Sequence, residues 1–444
     1  MKAVVLKFGG STLKDRTDLE NIKRIIETQQ PFVLVVSAVN GVTDMLSSAL
    51  NDIGNTDVDA FLSNLDSVYQ HFLDKFSSSL HERVYAIENF LRGAKLIGEV
   101  PPFVYDYVIS QGERCSSLLL TMYLNQEGIP CEEMLPETFG LVTDGTFGNA
   151  TVNLKLTQTN VKKYFRENQN YVVPGFYGVH EGKVNVLGRG GSDYTATSLA
   201  YCLDAKSIKL YKDVPGFMSS DPKTVSTAKV IKQLSYAEAA ELSYFGAKIL
   251  HHASMEPAMK KNIPVYIYDV HTLMETKEAN TVICANSCIS DNVVKSISST
   301  EDIAVIQFNG DNVGRVPGIL GTIASAFAKE NVNIKSVVTS QTSINVLVSK
   351  HDVPLCMHII ENMEIPQVQN IVYKTDISLI AAVGDGLLQH HSIAARIFSA
   401  VSKQKVNVEM ISAGASDVTM YFIVRATDRE KALKAIHEAF FGGE

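Results

Sequence analysis

Five charged residues, Lys7, Glu113, Arg189, Asp193 and Lys248, each lie within two residues of a glycine. The stretch richest in such features is Val184-Asn185-Val186-Leu187-Gly188-Arg189-Gly190-Gly191-Ser192-Asp193. An apolar run ends in glycines, then a helical pattern begins at Tyr194. That order predicts a strand, a tight turn and a helix N-terminus. A helix start carries unpaired N–H groups and about half a positive charge, which attracts anions. Gly190 and Gly191 let the backbone approach a ligand, Ser192 or Asp193 would cap the helix, and Arg189 offers a fork for a carboxylate or phosphate.

Several such turns recur without an evident nucleophile–base pair. There is no GxxxxGK[ST], and no GxGxxG follows the first strand, so neither a Walker-type loop nor a dinucleotide fingerprint is present. Cations converging with helix N-termini suit phosphoryl transfer, where positioning and charge neutralisation do most of the catalysis.

The elements that must position these residues read as α/β. Ala3 to Phe8 predicts a buried strand, ended by Gly9-Gly10-Ser11-Thr12, and an amphipathic helix follows near Thr17 to Gln29. Phe32 to Ser37 predicts a second strand. Apolar strands alternating with helices indicate a parallel sheet covered on both faces, with its ligand site beyond the strand C-termini. Residues 56 to 100 read as helices without chemistry, a lid or packing layer. Gly112-Glu113-Arg114 falls where a loop meets the helix Ser117 to Gln126. Further strands are expected at Tyr171 to Pro174, Ile208 to Tyr211 and Ile263 to Tyr268, and the pattern fades near residue 285.

Beyond it the texture changes. Residues 303–349 and 377–423 repeat one another. A constant offset of 74 carries Gly310-Asp311 onto Gly384-Asp385, Ile319 onto Ile393 and Asn333 onto Asn407. Each unit reads as strand, loop, helix, strand, turn, strand. A unit that small buries little alone and needs a second copy.

The 444 residues fit about three domains. The formal charge of -8, without a Lys/Arg cluster, argues against nucleic acid as a partner. The opening residues hold too short an apolar run for a signal peptide. Phe32 to Val39 falls far below the ~18 residues that span a bilayer. No membrane association and a cytoplasmic location are expected. The six cysteines form no CxxC pair and read as reduced, with no metal site.

Four motifs and the repeat together resemble one family. Lys7-Phe8-Gly9-Gly10-Ser11-Thr12, Gln111-Gly112-Glu113-Arg114-Cys115-Ser116, Gly188-Arg189-Gly190-Gly191-Ser192-Asp193 and Phe245-Gly246-Ala247-Lys248-Ile249-Leu250-His251 are similar, in that order, to the signatures of aspartate kinases. The C-terminal repeat resembles their paired ACT domains. The resemblance implies an amino-acid-kinase fold over residues 1–285, followed by ACT units at 300–372 and 375–444. Whether these are consecutive or interleaved stays open. It implies transfer of a phosphoryl group from ATP, with Mg2+ on the phosphates, to the side chain of L-aspartate. Lys7 would stabilise the transferring group and Asp193 would orient that lysine. Gly9, Gly10 and Ser11 would contact the phosphates. Ser37, Thr43 and Ser192 would line the substrate pocket, with Glu113 on the substrate ammonium and Arg189 on its α-carboxylate. Tyr211, Asp213, Asp221 and Lys248 would serve the nucleotide.

The loop carrying Asn312, Gly314, Val316, Gly318 and Ile319, with Val337, Thr339 and Ser340, would hold an amino-acid effector where ACT units of two subunits meet. That implies a homodimer or homotetramer. Three positions depart from the family pattern: Lys212 replaces a small hydroxyl residue, His252 a proline, and Lys335 an acidic residue. The last leaves lysine, threonine or no effector open. The rivals are another amino-acid kinase of this fold and a silent amino-acid sensor.

Overall fold

The computed structural model describes residues 3–247, 249–273, 278–285 and 293–442. The chain forms two compact units. The first is built on an eight-stranded sheet. Its strands are β1 (Val4–Phe8), β2 (Phe32–Val36), β3 (Glu132–Glu133), β4 (Tyr171–Pro174), β7 (Ser207–Lys212), β8 (Gln233–Ser235), β9 (Val265–Asp269) and β10 (Thr281–Cys284). A separate hairpin pairs β5 (Tyr177–His180) with β6 (Lys183–Val186). The sheet order is β3-β4-β2-β1-β7-β9-β10-β8, parallel from β3 to β9, with β10 antiparallel to β9.

The central strands are apolar because helices cover both faces. All five residues of β2 are buried. Helices Val58–Gln70, Ser78–Tyr85 and Glu88–Ile97 bury Leu62, Leu65, Tyr69, Leu80, Val84 and Leu91. The 56–100 region is therefore a packing layer. Its polar ties inward include the Tyr69 hydroxyl, which donates to the Gly112 carbonyl at 2.8 Å, and Arg83, whose Nη1 donates to the Arg114 carbonyl at 3.1 Å and to Glu133 Oε1 at 2.6 Å.

In register, Phe8, Tyr211 and Tyr268 lie side by side on β1, β7 and β9. Their rings stack, at 4.4 Å between Phe8 and Tyr211 and 5.1 Å between Tyr211 and Tyr268. Strands β8 and β10 were not expected from the sequence. They are three and four residues long, too short for the alternation that reveals longer strands.

The second unit holds two four-stranded antiparallel sheets. One has the order β13 (Ser336–Thr339), β14 (Ser343–Val348), β12 (Ala304–Asn309), β15 (Asn370–Lys374). The other runs β11 (Ser296–Thr300), β16 (Ile377–Val383), β18 (Thr419–Arg425), β17 (Met410–Ser416). The strand that comes first in the chain thus belongs to the second sheet, and the whole first sheet intervenes before β16. Each sheet buries an apolar helix face: Ile319, Ile323 and Phe327 against one, Ile393, Ile397 and Val401 against the other.

Two segments from within residues 1–285, Met218–Lys229 and Phe245–Ala247, belong to the second unit. Ser219 N–H donates to the Lys229 carbonyl at 2.8 Å, and Ser220 Oγ donates to the Ile297 carbonyl at 2.9 Å. Ser219 Oγ lies 2.9 Å from Nε2 of the buried His437, and Val225 joins the core around Ile297 and Phe440.

Gly112 stands in the first turn of the helix Gln111–Gln126. A Cβ there would lie 2.7 Å from the Ala38 Cβ and 3.3 Å from Val42 Cγ1. In an open helix, Gly→Ala stabilises by up to about 1 kcal/mol. Here overpacking reverses the sign, and Gly112→Ala should cost about 1–3 kcal/mol. Thermal unfolding checks this; a raised melting temperature would contradict the close approach.

Candidate active site

The loops after β1 and β2 and the start of the helix Gln111–Gln126 meet at the C-terminal edge of the sheet. The β1 strand ends in Gly9 and a single 3-10 turn, Gly10–Thr12, closed by Thr12 N–H and Thr12 Oγ1 donating to the Gly9 carbonyl at 3.0 and 2.8 Å. A Cβ on Gly10 would lie 2.7 Å from the Ala38 carbonyl oxygen, so this turn rests directly on the loop after β2. The Ser37 N–H donates to the Phe8 carbonyl at 3.2 Å. Thr43 is in the first turn of the next helix, Val42–Asn51. Ser116 Oγ accepts the Val39 N–H at 3.0 Å and donates to the Gly112 carbonyl at 3.0 Å, tying the start of the helix Gln111–Gln126 to the loop after β2.

Lys7 emerges from β1 into this junction. Its Nζ lies 2.8 Å from Asp193 Oδ1, and Lys212 Nζ lies 2.6 Å from Asp193 Oδ2. The carboxylate side chain is 5% exposed and the two lysines 7% and 14%. Burial pushes the Asp193 pKa up, but Lys212 and then Lys7 outweigh it and hold the carboxyl at about 2. Asp193 lies inside the helix Gly191–Leu203 and does not cap it. Gly190, at φ +73°, is the N-cap residue, with no side-chain cap. The cap expected of Ser192 or Asp193 is thus corrected. Ser192 is buried against Gly175, where a Cβ would come within 2.7 Å of the Ser192 Cβ.

Arg189 is exposed on the turn between two positive-φ glycines, Gly188 and Gly190. The strand feeding that turn is pinned by Asp106, which sequence reasoning missed. Its Oδ2 accepts the Val186 N–H at 2.9 Å and the Gly148 N–H at 3.0 Å. Burial raises the Asp106 pKa while these two bonds oppose it. The signal was legible: a lone acid inside the apolar helix Pro102–Ile109.

Glu113 and Arg114 diverge. Arg114 Nη1 donates to Glu137 Oε1 at 2.7 Å, and its guanidinium stacks over Tyr177 at 4.7 Å from the ring centre. This pair is no solvated helix face. Glu113 is 4% exposed, and its Oε2 lacks a hydrogen-bond partner among the described residues. Burial pushes its pKa up to about 8, with the Ala38 N–H, its own N–H and Lys7 pulling the other way. Burial thus favours its neutral form.

The nucleotide-side expectations fare differently. Tyr211 is buried, and its ring stacks with those of Phe8 and Tyr268. Asp213 is exposed just beyond β7. Asp221 is an exposed turn residue in the 218–229 segment of the second unit, where its Oδ1 accepts the Lys223 N–H at 2.9 Å. Lys248 lies outside the described residues, and so does Cys288.

In the second unit, Gly314 packs against the 339–342 turn, its N–H donating to the Gln341 carbonyl at 3.0 Å. This brings Gly314 beside Ser340; Arg315 and Val316 N–H donate to the Asn312 carbonyl at 3.0 and 3.1 Å, and Ile319 is buried. Gly318, at φ +97°, starts the helix Ile319–Lys329. Val337 and Thr339 lie on β13, half-buried and exposed respectively. Lys335 is not a bare cation: its Nζ donates to the Asp302 carbonyl at 2.6 Å and lies 3.3 Å from Asp302 Oδ2.

A site of this kind, with buried lysines and glycine-bracketed helix starts on a parallel sheet edge, defines a phosphotransferase class. Residues 2–269 match the amino acid kinase family, and residues 306–363 and 380–440 match the ACT domain. Aspartokinase 3 of Arabidopsis thaliana is 31% identical, over 98% of this chain and 81% of its own length. A bifunctional aspartokinase/homoserine dehydrogenase of Buchnera aphidicola is 28% identical over 98% of this chain, which spans 56% of that relative. E. coli aspartokinase III, solved with aspartate and ADP, superposes with a TM-score of 0.86 at 24% identity, covering 99% of this chain and all of that one. The chain belongs to the aspartokinase branch of the amino acid kinase family.

Because the Glu113 pKa is raised on folding, its contribution to stability is full below about 4.5 and is lost as pH rises through about 8. Glu113→Gln should remove that part of the decline, by up to about 1.4 kcal/mol per pH unit. Urea midpoints of both proteins at about pH 5 and about pH 8 measure it. Parallel curves would contradict the buried neutral acid.

Proposed function

We infer that this chain transfers the γ-phosphoryl group of ATP to the side-chain carboxylate of L-aspartate, giving 4-phospho-L-aspartate and ADP. The observation that carries the reading is the Lys7–Asp193 ion pair, buried between the Gly9–Gly10 turn and the start of the helix Gly191–Leu203. The nucleophile is the substrate's own carboxylate. Its ordinary pKa of about 4 leaves it ionised at neutral pH, so no general base is required. The barrier is repulsion between two anions. Lys7 and the N–H groups of the two turns offset it at the phosphoryl oxygens.

Glu113 takes the substrate ammonium, and its proton leaves as that cation arrives. Arg189 takes the α-carboxylate, while Ser37, Thr43 and Ser192 line the pocket. Gly9, Gly10 and Ser11 hold the phosphates, with Asp213 and Lys248 on the nucleotide side.

Magnesium is proposed as the ion carried on the phosphates. The protein groups do not form a cage for it: Asp193 is shared by two ammonium groups, and no cluster of three His, Cys, Asp or Glu occurs among the described residues. No step is therefore routed through a protein-held ion.

The ACT pair is proposed to bind an amino-acid effector through the Asn312–Gly318 loop and the Ser340 turn, in a homodimer or homotetramer. Lysine is not disfavoured by Lys335, whose charge is met by Asp302. No helix among the described residues is long and apolar enough to cross a membrane. A cytoplasmic location is part of the proposal.

ADP release with a panel of amino acids tests the reading. Aspartate should be the acceptor; preference for glutamate, or no turnover, would overturn it. Lys7→Ala should fold and lose about 10²–10³-fold in kcat. Arg189→Ala should raise the aspartate KM with ATP affinity little changed, and equal damage to both would count against the clamp. Titrating lysine and threonine in the same assay tests the effector loop, which flat curves would remove.

A further inference from the structure

Lys212 is the last residue of β7, one step beyond the Phe8–Tyr211 register pair, and so lies alongside the Gly9 turn. Its ammonium and that of Lys7 approach different oxygens of one carboxylate, at 2.6 and 2.8 Å. Among the described residues, Asp193 is the carboxylate that meets both. An ammonium has three donors, so both lysines keep N–H groups to spare.

Among the described residues, the buried cluster itself holds two ammonium groups on one carboxylate, and Asp213, exposed and next to Lys212 in the chain, adds a negative charge outside it. Burying an uncompensated charge is costly. Burial draws the Lys212 pKa below the usual lysine range, Asp193 opposes this, and Lys7 adds to it. A purely structural ion pair would need only one lysine. A second lysine on the same buried carboxylate makes sense where an anion is due, at the edge that the Gly9–Gly10 turn and the helix start at Gly191 share.

We propose that Lys212 is a second catalytic cation, which together with Lys7 donates to the oxygens of the transferring phosphoryl group, while Asp193 spaces the two ammonium groups. This rests on the kinase reading given above. In the step itself, an aspartate side-chain oxygen forms a bond to the γ-phosphorus, and the bond from phosphorus to the β–γ bridging oxygen breaks. Its electron pair leaves with ADP. Lys212 moves no proton; it meets charge that spreads over the phosphoryl oxygens in the transition state.

The test compares wild type, Lys212→Met, Lys212→Gln and Lys7→Met as full chains. Lys212→Met keeps the length of the side chain and leaves Asp193 paired with Lys7. Circular dichroism confirms folding, and Lys212→Gln stands in if the Met variant fails to fold. Two readouts matter: kcat, and the affinity for ADP with aluminium fluoride and aspartate, a mimic of the transferring group, against the affinity for ADP alone. The expected result is a loss of about a hundredfold or more in kcat. The mimic should weaken in parallel, with ADP affinity within about threefold of wild type. A merely structural lysine would leave the ratio of mimic to ADP affinity unchanged. That result, or a kcat within about threefold of wild type, overturns the proposal. If Lys7→Met is inactive and Lys212→Met is normal, only the role of Lys212 falls. If wild type phosphorylates no aspartate, or Lys7→Met turns over normally, the kinase reading falls first.

Discussion

A carboxylate held between two lysine ammonium groups, all three nearly shut off from water, ties the first unit together at its edge. Asp193 comes from the helix Gly191–Leu203, Lys7 from β1 and Lys212 from β7. Removing one partner from a buried ion cluster commonly costs about 3–5 kcal/mol, because the remaining charge stays behind. The ends of two adjacent strands and the start of one helix are thereby set in one place. Two ammonium groups gathered at that point suit a site that must bring two anions together.

Around that point the backbone comes unusually close to itself. Gly10 and Gly112 both rest against Ala38, where a Cβ on either would come within 2.7 Å. Gly175 abuts Ser192 in the same manner. Glycine is needed here for close approach; only at turns such as Gly188 and Gly190, at φ +71° and +73°, is it needed for left-handed backbone. The site is thus rigid in its backbone and charged in its side chains, the combination that electrostatic catalysis uses. Asp106 extends this inward, fixing Val186 and through it the turn that carries Arg189.

Much of this was legible in the residues. Continuous apolar runs marked β1, β2 and β4, and the offset repeat marked the C-terminal pair without any gap. What escaped had physical reasons. The strands β8 and β10 are too short to show a period. Tyr211 sits in a strand next to a charged turn, and only the register with Phe8 and Tyr268 reveals the ring stack it joins. Asp221 follows the site strand closely in sequence, yet its segment packs in the second unit through Ser219, Ser220 and Val225. A chain that leaves one compact unit and returns gives no periodic sign of doing so. Lys212 stood out only as a departure, and its partner became visible with the fold.

The most direct measurement is a crystal structure of the enzyme with aspartate and a non-hydrolysable ATP analogue. The account places the γ-phosphoryl group within hydrogen-bond distance of Lys7 Nζ, between the turns at Gly9 and Gly190, with the substrate ammonium on Glu113. A triphosphate bound away from those turns would contradict it.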